Sequence, residues 1–296
     1  MKPNPLLKQL GYSDTDKLVI IHTDDIGMCQ ASLQAYIDLW DFGTISSGAV
    51  MVPCPWFPAT AEYCRKNPGV DMGVHATLNA EWDAYRWGPV STHDQSSGLL
   101  DKDGYFNQWH EAVYENAKPE AVAIEVNTQV ERALAAGIDV THIDSHMGTI
   151  MEPRFIQSYL QAGLSRKIPN MMPRATAEGF WMMGMDAETQ AVYTPILNEM
   201  EEKGIPMLDG LASLPLEHAN DHVGLAKKLL NELPIGITHF IFHPSIDTPE
   251  LRAIAPDWQA RTANYNAFMS PEIKNFIKNE GIQVIGYRDI RDSIRK

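Results

Sequence analysis

Cysteine is scarce in this 296-residue chain: Cys29, Cys54 and Cys64 are the whole complement, and no two form a C-x-x-C pair. That excludes a disulfide framework or a thiolate zinc knuckle and leaves three buried or bystander thiols. Positive charge is also short, with 24 Lys and Arg against 38 Asp and Glu and a net charge of −14. Without a basic cluster to neutralise phosphates, neither nucleic acid nor an anionic membrane surface is an expected partner. No apolar run approaches the ~18 residues of a membrane span, and the amino-terminal stretch offers only Leu6-Leu7 where a signal peptide needs an apolar core. A cytoplasmic, soluble protein is expected. The glycine-rich loops that cradle nucleotide phosphates and the G-x-S-x-G nucleophile elbow are absent too.

What the chain does have is a regular alternation of apolar, β-branched runs with helical-period stretches. Strands are predicted over 18–22, 47–52, 72–78, 140–145, 170–174, 206–211, 239–242 and 282–286. Helices are predicted over 30–42, 58–66, 120–136, 154–164, 189–203, 221–233 and 271–280, several closing on glycine at Gly43, Gly137, Gly204 and Gly281. Such a series specifies an α/β fold built from βαβ units around a parallel sheet. Eight strand-like segments without a linker favour a closed or nearly closed (β/α) barrel over a doubly wound open sheet, in one domain spanning residues 1–296.

One connection is out of scale. Residues 79–119, after the third strand, show no clean periodicity but carry Trp82, Tyr85, Trp87, Tyr105, Phe106 and Trp109. Long loops of this kind are usually functional, and Trp82 and Trp87 are expected to contact substrate. The alternative is an insertion packed on the barrel rim or on a second copy of the chain in a homodimer.

Barrels place their chemistry at the carboxyl ends of the strands. There the sequence reads Asp24-Asp25-Ile26-Gly27 after strand one, His75 in strand three, Thr141-His142-Ile143-Asp144-Ser145-His146 at strand four, Arg174 at strand five and His243-Pro244 at strand seven. Adjacent carboxylates behind an apolar run are costly to bury unless they are paired or bind a cation. Two histidines and a carboxylate from three strands form a facial ligand set that leaves positions open, and Asp25, His75 and His146 are that candidate set. His22 and His142 are expected to support the site or to pack, and Arg174 and Asp144 are expected to contact substrate.

These motifs resemble the YdjC-like carbohydrate deacetylases. The matching blocks are Asp24-Asp25-Ile26-Gly27, Gly73-Val74-His75-Ala76-Thr77-Leu78, Thr141-His142-Ile143-Asp144-Ser145-His146 and His243-Pro244, in the family's order and spacing. Where several members continue with further histidines, this chain has Met147-Gly148-Thr149. The resemblance implies a deformed TIM-like barrel and one divalent metal, Mg²⁺ or Zn²⁺, held by Asp25, His75 and His146. It further implies hydrolysis of an N-acetyl group on a small sugar, with Asp24 as base. His243 is the candidate proton donor to the leaving amine. Three alternatives remain open: a metal-dependent barrel hydrolase of another amide or a phosphoester, a non-catalytic sugar-binding barrel, and a glycosidase using paired carboxylates.

Overall fold

The computed structural model describes residues 2–176, 186–217 and 220–296. Among them seven strands form one sheet, every pairing parallel: β1 (Lys17–Ile26), β2 (Ser47–Val50), β3 (Met72–Ala76), β4 (Val140–Ser145), β5 (Gly210–Ser213), β6 (Gly236–Phe242) and β7 (Gln283–Val284). The spatial order is β4-β3-β2-β1-β6-β5, with β7 paired to β1. Residues 170–174 join the two ends of this path through isolated bridges, Ile143 to Asn170 and Pro173 to Leu208. Main-chain hydrogen bonds of 2.8 Å from Met171 to Ile143 and from Arg174 to Leu208 complete the ring. The predicted strand at 170–174 is therefore present only as a bridge, because Pro169 and Pro173 cannot donate to a ladder.

The eighth predicted segment is the short β7, and it makes the barrel irregular. It pairs with Leu18 and Val19, while β6 runs along Lys17 to Thr23. Since β6 occupies one edge of β1, β7 must share the other with β2, whose pairing begins only at His22. β7 thus wedges below β2 and is no full stave. The molecule is a single-domain parallel α/β sheet with surrounding helices, a deformed TIM-like barrel. No helix among the described residues is long and apolar enough to cross a membrane.

The insertion packs as part of the rim. Leu99 and Phe106 are fully buried, Trp82 and Trp87 nearly so, and a short helix spans His110–Asn116. The helix Pro119–Ala135 anchors it through two buried polar side chains. Glu125 accepts hydrogen bonds from the main-chain amides of Val90 (3.0 Å) and Ser91 (2.8 Å). Gln129 holds Thr77 by both its amide (3.0 Å) and its carbonyl (2.7 Å). These contacts fix the exit from β3, which carries His75.

Candidate metal centre and its cleft

Both carboxylates at the end of β1 can serve one site because the strand is irregular there. Neighbours on a regular strand point to opposite faces. Here the register with β2 shifts between Thr23 and Ile26, and Asp25 takes a left-handed φ of 61°. Gly27 follows with φ 80°, and a Cβ on it would lie 2.8 Å from the Thr60 hydroxyl, so the turn back to Met28 needs glycine.

Asp25 has its two oxygens in different states. Arg261 Nη1, from the helix Trp258–Phe268, donates to Oδ2 at 2.7 Å and is itself steadied by Asp257 at 2.8 Å. Oδ1 is buried without a hydrogen-bond partner. It lies 3.2 Å from His146 Nδ1 and 3.5 Å from His75 Nε2. Each imidazole is turned that way by a carboxylate on its other nitrogen: His75 Nδ1–H donates to Asp144 Oδ1 at 2.7 Å, and His146 Nε2–H to Glu81 Oε2 at 3.0 Å. The three donor atoms lie within 4.8 Å of one another. An orphaned carboxylate oxygen facing two pre-oriented ring nitrogens fits a divalent cation, and carboxylate support behind a histidine is how such ligands are usually held.

The electrostatics point the same way. Burial would raise the pKa of Asp25, but Arg261, then His146 and His75, outweigh it and hold the carboxyl well below its ordinary range. Burial would lower His146, yet Glu81 and Asp25 reverse this and raise it to about 9. His75 is likewise raised well above the ordinary histidine range, by Asp144 and Asp24 against burial. The pocket therefore favours positive charge, which protons or a metal ion can supply. A second buried group that could hold a metal comprises His22, Asp24, Asp144 and His239. Its ring nitrogens are largely engaged: both of His22 by Asp24 and His142, and Nδ1 of His239 by the Tyr287 hydroxyl at 2.9 Å.

Asp24 stands in front of the first group. His22 Nδ1 lies 2.8 Å from its Oδ1, and Oδ2 is 3.6 Å from His243 Nε2 and 3.8 Å from His75 Nε2. Burial raises its proton affinity, and the nearby negative charges of Asp144 and Asp25 add to this against His75 and His243. Behind it a buried polar row runs from His22 to His142 (2.9 Å), Thr141 (3.1 Å) and Asp71 (2.6 Å). Thr141 gives its only proton to Asp71, so it accepts from His142 Nδ1–H. His142 Nε2 then accepts from His22 Nε2–H at 2.9 Å. His243 is pushed down by burial, and its Nδ1 has no hydrogen-bond partner. Asp24 and His243 end a cleft of about 620 Å³ at the barrel mouth.

The structure brings Asp24, Asp25, His75, His146 and His243 together. The residues expected at substrate are placed differently. Asp144 is 2% exposed and engaged with His75, so it supports a candidate ligand histidine and does not line the cleft. Trp82 and Trp87 are 7% and 3% exposed. Trp82 lies under the Arg261 guanidinium at 5.4 Å, and Trp87 packs edge-on against His146 at 6.2 Å, so they wall the centre from behind instead of offering a face to a sugar. Arg174 is committed to Asp209 (2.9 Å) and Glu201 (2.5 Å). Glu81 and Arg261 lie outside the sequence motifs that mark the site. An acidic residue six positions after His75 was the available signal for Glu81; Arg261 offered none.

The sequence model for YdjC-like proteins matches residues 18–279. A carbohydrate deacetylase from Thermus thermophilus is 29% identical over 289 residues, covering 98% of this chain and 99% of the relative. One from Thermoanaerobacter pseudethanolicus is 20% identical over 92% of this chain and 98% of its own length. A solved Enterococcus faecalis structure named for cellobiose-phosphate cleavage superposes with a TM-score of 0.77 at 20% identity, covering 93% of this chain and 99% of that one, and so shares the fold.

Proposed function

Because the chain belongs to the YdjC-like protein family, we propose that it is a carbohydrate deacetylase, a hydrolase that removes an N-acetyl group from an acetylated amino sugar or short oligosaccharide and releases acetate. The observation that carries this reading is the division of labour between two adjacent carboxylates. Asp25 is kept ionised by Arg261, with one free oxygen towards His75 and His146, while Asp24 has raised proton affinity and an oxygen towards the cleft.

Asp25, His75 and His146 would hold the divalent ion. Bound there, the ion would supply Lewis-acid polarisation of the acetyl carbonyl and activation of water. Two imidazoles and one carboxylate suit Zn²⁺ better than Mg²⁺, which prefers oxygen shells. The protein's own groups move the protons. Asp24 Oδ2 accepts the proton of the water that attacks the carbonyl carbon. His243 Nε2–H then donates to the sugar nitrogen, so that the C–N bond breaks to a neutral amine and not to an amide anion. A lowered pKa suits His243 to this task, since its imidazolium is the stronger acid.

The test is acetate release from a panel of N-acetylated mono- and disaccharides with and without chelator. Chelator-sensitive release from at least one is expected, and none from any would overturn the reading. Asp24→Asn should lower kcat by about 10²–10⁴-fold while the protein still takes up metal. A binding protein without turnover would be indifferent to the change.

A further inference from the structure

We propose that the cleft above Asp24 selects uncharged acetylated amino sugars and rejects phosphorylated ones. The proposal rests on the deacetylase reading of the same site and adds the charge class of its substrate. Among the described residues, Asp24, Glu152 and Asp186 line the cleft and no lysine or arginine does. Residues 177–185, which precede Asp186 in sequence, contain no lysine or arginine either.

Proteins hold a phosphate with an Arg fork, a Lys, or the main-chain amides at a helix N-terminus. Each of these is missing or occupied here. Arg154 Nε donates to Glu152 Oε1 at 2.8 Å, and its Nη2 donates to the Tyr114 carbonyl. The helix Ala187–Glu202 brings its N-terminus to the cleft, but Asp186 caps it, accepting from the Thr189 amide at 2.8 Å. The position an anion would take is thus filled by the protein's own carboxylate. A phosphate entering would face the Glu152 and Asp186 carboxylates with no lysine or arginine among the described lining residues to offset them, the repulsive element on which specificity depends. A neutral pyranose meets no such penalty: Met151, Met171 and Ile241 give apolar surface for its CH face, and Ser145 and Ser213 give hydroxyls.

The test compares the N-acetylglucosamine disaccharide with its 6-phosphate, reading kcat/KM for acetate release and, independently, equilibrium binding by calorimetry to the full chain. The phosphorylated sugar is expected to be at least tenfold worse in kcat/KM, and the gap should narrow at 0.5 M salt. In the double variant Glu152→Gln, Asp186→Asn the ratio of phosphorylated to plain sugar should rise at least threefold. Asn retains the helix cap, and loss of the Glu152 charge frees Arg154. Equal or better use of the phosphate overturns the charge rule and leaves the deacetylase reading standing. If neither sugar releases acetate, the deacetylase reading fails and calorimetry decides the charge rule. Tighter binding of the plain sugar supports it, while equal binding, tighter binding of the phosphate, or binding of neither overturns it.

Discussion

Glu81 reaches His146 from outside the barrel, 65 residues away in sequence, and so makes one candidate ligand depend on the insertion. Glu81→Gln should keep the fold but weaken metal affinity by about 10–100-fold, as loss of a carboxylate behind a ligating histidine typically does. Competition with a chromophoric chelator measures this, and unchanged affinity would remove Glu81 from the centre. His146 adds a pH signature. Its pKa in the metal-free protein, about 9, lies above the ordinary 6.5, so its contribution to stability is complete below pH 6.5 and lost as pH rises through 9. The same proton competes with metal. Uptake at pH 7.5 should release at least one proton, and apparent affinity should climb with pH towards 9, by up to about tenfold per unit for each proton displaced. Calorimetry in buffers of different ionisation enthalpy reads the protons directly, and uptake without release would contradict the assignment. At this scale Asp24, Asp25, His75 and His146 were legible because each sits in a short motif at a strand end. Arg261 was not: it pairs with Asp25 across 236 residues, which no local pattern encodes.

Among the elements, β3 shows why a small residue precedes a functional one. A Cβ on Gly73 would lie 2.3 Å from His142 Cε1 and 2.5 Å from both ring nitrogens, so the glycine leaves room for the imidazole of the neighbouring strand. Gly73→Ala should destabilise the protein by about 1–3 kcal/mol through overpacking. Urea unfolding checks the loss, and an unchanged midpoint would mean that the His142 ring swings aside freely. The helices Gln30–Phe42 and Pro271–Asn279 and the strand Val140–Ser145 follow their apolar periods and glycine stops closely. Strand β1 ran on to Ile26, past the predicted end at residue 22, because Asp24 and Asp25 look like loop residues until Arg261 and the two imidazoles compensate them. Helix Trp258–Phe268 went unpredicted: Arg261 and Asn264 lie buried on its inner face, and those polar residues blur the apolar stripe.

For the molecule as a whole, a metal centre that joins β1, β3 and the segment after β4 ties together three staves of the ring. An ion bound only by the folded state stabilises it by about 4.1 kcal/mol at a thousandfold excess over Kd. At a rate of about 2–4 °C per kcal/mol for a large domain, this should raise Tm by roughly 8–16 °C over the chelated protein. A melting temperature indifferent to every divalent ion would count against the centre. The left-handed backbone at Asp25 has a longer-term consequence. Non-glycine residues in this conformation hold strain that only their surroundings sustain. In a lineage that no longer hydrolyses anything, nothing would hold the aspartate there, and glycine or asparagine would relieve the chain. Position 25 is therefore a marker by which working members of this lineage can be told from retired ones.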